Sequence, residues 1–206
     1  MLKIAVFASG RGSNFQALAE AISKKNINAR IVLVVSNNSD AGALALARTL
    51  HIPALHLSQK QFPSHDAFTT SVLSTLESHH VDFVVLAGYM KKIDPSIIRR
   101  FRNRIINVHP ALLPAFGGQG MYGHFVHEAV IAQRATHTGA TVHIVDEEFD
   151  HGEIILQESI PVEAHDTPES LAEKVLRIEH KILPAAVEIF ANKSAAIGDA
   201  GQPTGN

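Results

Sequence analysis

The sequence predicts an α/β fold: a mostly parallel sheet with helices on both faces and a C-terminal antiparallel extension. Three observations predict it. The strand-like runs are almost wholly apolar instead of alternating, which marks strands buried on both faces. Helical patterns separate them, giving the β-α rhythm of a doubly wound sheet. After residue 110 that rhythm gives way to a long Gly/Pro-rich connection and two adjoining strand-like runs.

The elements follow in order. LKIAVFA (2–8) runs into a glycine turn and the helical SNFQALAEAISKK (13–25). ARIVLVVS (29–36) leads to AGALALARTL (41–50), and IPALHL (52–57) precedes SHDAFTTSVLSTLESHH (64–80). DFVVLAG (82–88) precedes DPSIIRRF (94–101), and RIINVH (104–109) follows. ALLPAFGGQGMYG is a connection of a length that goes with function in compact domains. HEAVIAQR (127–134) reads as a helix. ATVHIVDEE (140–148) and EIILQESIPV (153–162), joined by FDHG, read as an antiparallel pair. Residues 167–193 form a long amphipathic helix with Thr167 as N-cap and Pro168 at its first position. Pro184 inside it should kink or split it. Residues 1–193 read as one domain and residues 194–206 as a disordered tail.

Composition narrows the function classes. A chain of 206 residues suits one generous domain. Apolar residues make up 46%, which excludes wholesale disorder. A net charge of −2 argues against a broad footprint for nucleic acid or an anionic membrane. The absence of cysteine excludes disulfides and a thiol nucleophile, and suits a reducing cytoplasm. No apolar run reaches membrane-spanning length. The first such run ends in a glycine turn and reads as a strand, not a signal peptide.

Two motifs carry chemistry. ASGRGSN (8–14) follows a buried strand and opens a helix, so the amides of Gly12, Ser13 and Asn14 would favour an anion. The third glycine of a dinucleotide fingerprint is replaced by Phe15, and no acid closes the second strand, which argues against NAD. The competing reading of this loop is a tight turn that binds nothing. INVHPALLP (106–114) places Asn107 and His109 two apart on an extended segment, so they point the same way. At the carboxyl end of a parallel strand they would face the crevice where such folds bind ligands. By spacing alone, two hydrogen-bonded structural residues explain the pattern better. Asp150 precedes His151-Gly152 at a tight corner. A carboxylate near His109 would raise its pKa, but the spacing does not establish that proximity.

GRGSN, LAGYMKKI (86–93), INVHPALLPAF (106–116), TGATVHIVDEEFDHGEIILQ (138–157) and IEHKILP (178–184) together resemble the glycinamide ribonucleotide formyltransferase family, folate-dependent enzymes of purine synthesis. The resemblance runs from residue 2 to about residue 191, with the motifs in order. It implies a Rossmann-like formyltransferase fold and transfer of a formyl group from the co-substrate 10-formyltetrahydrofolate to the amine of glycinamide ribonucleotide. It implies no metal, and a monomer or homodimer in the cytoplasm with neither nucleic acid nor membrane as partner.

The resemblance also implies roles. His109 matches the catalytic histidine, which as imidazolium donates to the developing oxyanion. Asn107 matches a second donor to that oxygen, and Asp150 the aspartate that raises the histidine's pKa. Gly12, Ser13 and Asn14 match the loop that grips the substrate phosphate, and Glu179 a glutamate that contacts the ribonucleotide. Met90, Lys91 and Ile93 fall where the family binds folate. His143 matches a supporting histidine behind the site, although a core histidine explains it nearly as well. Leu113–Pro114 matches a cis bond. Lys91 stands where many members have arginine. GGQGMYGHFVH (117–127) replaces a shorter stretch found in some members. Leu176 occupies a position that is basic in some members, with Lys174 and Arg177 the nearby cations. A formyltetrahydrofolate hydrolase is the nearest rival. A metal hydrolase using His124 and His127, or His137 and His143, is a more distant one.

Overall fold

A computed structural model describes residues 1–199 of the chain. Seven strands form one sheet in the order β3-β2-β1-β4-β5-β6-β7. β1 (Leu2–Phe7), β2 (Ala29–Ser36), β3 (Ala54–His56), β4 (Phe83–Leu86) and β5 (Ile105–His109) are mutually parallel. β6 (His137–Ile144) and β7 (Ile154–Pro161) join antiparallel, with Asn107 opposite His143 and His109 opposite Thr141. The mostly parallel sheet and its antiparallel extension agree with the sequence expectation.

Alternation along the strands builds two cores. Ile4, Val6, Val34, Val85 and Ile106 face one side with α1 (Ser13–Lys24), α2 (Gly42–Thr49) and α6 (Pro168–Asp199), where Phe15, Leu44, Val175 and Val187 are buried. Ala5, Phe7, Leu33, Val84 and Ile105 face the other side. There, α3 (His65–Ser78) contributes Val72 and Leu76, and α4 (Pro95–Arg100) contributes Ile97 and Ile98. β1 and β4 flank the point where the strand order reverses. Ligands of open α/β sheets bind in the crevice at the carboxyl ends of strands there.

Three expectations need correction. α6 runs unbroken across Pro184, although proline leaves the helical ladder one donor short. Buried Leu183, Ala186 and Val187 pack this stretch into the core, which holds the helix together there. The same helix continues to Asp199, so residues 194–199 are helical and not a disordered tail. Residues 200–206 lie outside the described residues. α5 (His124–Ala132) begins three residues earlier than expected, directly after Gly123, whose φ of 54° turns the chain out of the loop. Other element ends agree within a few residues.

Thr167 caps α6 as expected: its Oγ1 accepts from the Ser170 amide at 3.2 Å, while Ser170 Oγ accepts from the Thr167 amide at 3.0 Å. The Leu113–Pro114 bond is cis, as the resemblance implies.

Candidate active site

An open cleft of about 230 Å³ lies at the carboxyl edge of β1, β4 and β5. Asn107 and His109 form its floor, on the same side of β5 as buried Ile105. Asp150 closes in from the turn between β6 and β7. It adopts a left-handed φ of 53°, which aspartate tolerates better than most residues. Gly152 completes the corner, because a Cβ there would collide with the carbonyl of Ile144.

The three side chains meet. Asp150 Oδ1 lies 3.5 Å from His109 Nδ1, 3.5 Å from Asn107 Nδ2 and 3.5 Å from His143 Nε2. The Gly118 amide donates to its other oxygen at 3.0 Å. His109 Nε2 donates to the carbonyl of Phe116 at 2.8 Å. A carbonyl only accepts, so the neutral ring carries its proton on Nε2 and turns a bare Nδ1 toward Asp150. His143 Nδ1 donates to the carbonyl of Ile144 at 2.8 Å, and Asn107 Nδ2 donates to His143 Nε2 at 3.2 Å. His143 is thus both buried and bonded to the cluster.

The electrostatics add an opposing effect to the expected one. Burial pushes the His109 pKa down, and this outweighs the upward pull of the Asp150 charge and of the Phe116 carbonyl. Asp150 does act in the expected direction, but the resting imidazole stays below its ordinary value. For Asp150 itself burial acts upward, yet the neighbouring His143 and His109 rings and the Gly118 amide together hold it below the usual carboxylate range. The resting pair is therefore a neutral ring beside an ionised carboxylate.

The other expected residues fall around the same cleft. Met90, Lys91 and buried Ile93 line it from the segment after β4. Asn14 and Glu179 line it from α1 and α6, and Asn14 Nδ2 donates to Glu179 Oε2 at 2.6 Å. Gly12, with φ 85°, is the residue preceding α1, and Ser13 is the first residue of that helix. Neither lines the cleft itself, although Asn14 beside them does. Lys174 is engaged by Asp166 at 2.8 Å and Glu163 at 3.2 Å, while Arg177 is exposed.

The histidines of the metal reading are dispersed. His124 pairs with Glu128 at 2.9 Å, and His137 is exposed at the start of β6. His127 is buried in α5, with a pKa pushed down to about 4 by burial. Among the described residues no group of three or more His, Cys, Asp or Glu is arranged to hold a metal ion. No helix among them is long and apolar enough to cross a membrane.

Sequence reasoning missed the main-chain groups of residues 116–118. The Phe116 carbonyl and Gly118 amide have no side-chain signature. The Gly117-Gly118 pair is their one trace, and a Cβ at Gly117 would lie 2.5 Å from Leu113 Cδ2 and 3.2 Å from Asp150 Cβ. Tyr122 and Phe149 were missed too. Both are exposed apolar rings at the cleft, in the Gly-rich connection and the acidic turn.

Glu179 is 7% exposed, and burial lifts its pKa to about 7 from 4.5, against the opposing Asn14 bond. The folded state thus holds a proton that the unfolded chain releases near 4.5, so folding stability falls as pH rises from 4.5 to 7 and levels off above. Glu179→Gln removes that dependence. Thermal unfolding at pH 8 should show a gain on the order of 2–3 kcal/mol for the variant. No gain should appear at pH 4.5, and equal gains at both would contradict a raised pKa.

This arrangement, a neutral imidazole, an amide and a carboxylate around one point in a sheet-edge cleft, agrees with sequence comparison. Residues 2–187 match the family described as Formyl transferase, and the chain belongs to that family. Among its relatives is the chloroplastic phosphoribosylglycinamide formyltransferase of Arabidopsis thaliana, 46% identical over 181 residues. That match covers 87% of this chain and 62% of the plant protein, so the chain spans less than two thirds of the relative's length. Phosphoribosylglycinamide formyltransferase of Bacillus subtilis is 36% identical over 188 residues, covering 91% of this chain and 94% of that protein. The crystal structure of glycinamide ribonucleotide transformylase 1 from Symbiobacterium toebii superposes with a TM-score of 0.88 at 37% identity. It covers 94% of this chain and 89% of that one.

Proposed function

We propose that residues 1–193 act as one formyltransferase domain that passes a formyl group from 10-formyltetrahydrofolate to the amine of glycinamide ribonucleotide. The observation that carries this is the meeting of Asn107, His109 and Asp150 at the cleft floor. The attacking nitrogen belongs to the substrate, so the site needs no serine or cysteine nucleophile. Its task is proton handling and charge stabilisation.

The geometry fits the following sequence. The amine attacks the formyl carbon, and the carbonyl oxygen gains negative charge. Asn107 Nδ2, whose bond to Asp150 is long at 3.5 Å, is free to turn a hydrogen toward that oxygen. The amine's proton passes to His109 Nδ1, directly or through water. The imidazolium forms here, beside the ionised Asp150. It donates to the oxyanion and then gives its proton to the folate nitrogen as the carbon–nitrogen bond breaks. Formylglycinamide ribonucleotide and tetrahydrofolate leave. A resting neutral ring is the state that can accept the proton.

Gly12, Ser13 and Asn14 hold the substrate phosphate at the start of α1, and Glu179 contacts the ribonucleotide beside Asn14. Met90, Lys91 and Ile93 hold the folate, with His143 fixing Asn107 from behind. A spectrophotometric assay with a 10-formylfolate tests the reading. Tetrahydrofolate should appear only when glycinamide ribonucleotide is present. Its release without that acceptor would indicate a hydrolase instead.

A further inference from the structure

His109, Thr141 and Gln157 stand directly opposite one another across β5, β6 and β7. Opposed residues of neighbouring antiparallel strands point to the same face, so the three side chains form a row across the extension. The outer two grip the turn that follows His109. Thr141, fully buried, donates its hydroxyl proton to the Ala111 carbonyl at 2.6 Å and accepts from the Leu113 amide at 3.1 Å. Gln157 Nε2 donates to Thr141 Oγ1 at 2.8 Å and to the Leu113 carbonyl at 3.1 Å. A carbonyl only accepts, which fixes the nitrogen of the Gln157 amide on this side, and the two bonds use both of its hydrogens. The Thr141 hydroxyl is likewise complete, with one bond given and two received.

That grip passes to the main-chain groups that hold the site. Leu113 is buried, and a Cβ at Gly117 would approach its Cδ2 to 2.5 Å. Between the two, Phe116 takes a left-handed φ of 56°, which a bulky residue adopts only where its surroundings impose it. This backbone turn aims the Phe116 carbonyl at His109 Nε2 and the Gly118 amide at Asp150. A main-chain group is positioned only by what holds its segment, and Gln157 holds this one from outside the cleft.

We propose that Gln157 is a positioning residue of the site: by holding Leu113 and Thr141 it sets the Phe116 carbonyl, which keeps the His109 proton on Nε2. It lines no part of the cleft and touches neither substrate in the formyl-transfer reading. The proposal rests on that reading for turnover alone, because the state of the His109 ring is measured without substrate.

The test compares Gln157→Leu and Gln157→Glu with the natural protein. The first deletes both donors. The second keeps the shape but sets a carboxylate oxygen against the Leu113 carbonyl. Each should lower kcat for formyl transfer by roughly 5- to 50-fold, because a small misplacement of a reacting group is costly in rate, with KM for both substrates within about twofold. In ¹⁵N-histidine NMR, part of the His109 proton population should move from Nε2 to Nδ1, where Asp150 can accept it. The midpoint of the ring should also fall, because the Phe116 carbonyl is one of the groups that raise it. Ser159→Ala, next along the same face of β7, should change none of these. Gln157 variants that unfold at lower temperature but keep natural turnover and the natural ring spectrum would overturn the proposal, leaving Gln157 a brace of the sheet. Should Gln157→Leu fail to fold, Gln157→Glu decides alone. An altered ring spectrum in the variants, with no formyl transfer by the natural protein, would uphold the positioning role and overturn the reaction instead.

Discussion

His109→Ala should lower turnover by roughly 10²–10⁴-fold while leaving substrate affinity nearly intact. The ring is buried, and no other titratable group in the described cluster has a free proton-accepting nitrogen directed at Asp150. His143 has its Nδ1 committed to the Ile144 carbonyl and its Nε2 to Asn107, so it cannot take over. In the proposed site the phosphate lies at the start of α1 and the folate against the segment after β4, so neither is assigned to the His109 side chain. The loss should therefore fall on kcat and not on KM. Single-turnover formyl transfer together with equilibrium binding checks this. Unchanged turnover with binding intact would remove His109 from the mechanism.

Asp150→Asn should cost turnover on the order of 10²–10³-fold by a different route. The substitution keeps the shape of the side chain and its bond from Gly118, but removes the negative charge. Asp150 pulls the His109 pKa upward against burial. Without it, the pKa falls further and the imidazolium that must form in mid-reaction loses its counter-charge. Stability shifts as well. A carboxylate held below 3.8 stabilises the fold above that pH, and the contribution is lost as pH falls through the folded value. The variant should therefore be less stable than the natural protein at pH 7, with the difference shrinking on acidification. Paired measurements of turnover and thermal unfolding across pH check both parts.

The sheet was legible because buried strands write themselves as apolar runs, as β1, β2 and β4 do; β3 is short and half-buried, and β5 ends in polar Asn107 and His109. Asn107 and His109 were legible as a pair because a strand end and a proline fix which way they face. Asp150 was not legible from spacing, since its approach to β5 depends on the pairing of β5 with β6 and on the corner at Gly152. Only the match of its motif to a known family pointed to it. The Phe116 carbonyl and Gly118 amide were invisible because main-chain groups carry no residue identity. Asp150 does pull the His109 pKa upward as expected, but the burial that outweighs it exists only in the folded chain and has no trace in the sequence. Pro184 misled in a similar way, because tertiary packing outweighed a local break in the helical ladder.

The most direct test is a titration of the His109 ring nitrogens by NMR in the ¹⁵N-histidine-labelled protein, repeated with Asp150→Asn. The account predicts a midpoint below 6.5 in the natural protein, the ring proton on Nε2 above it, and a further drop in the variant. A midpoint at or above 6.5 that does not move when the carboxylate is neutralised would contradict it.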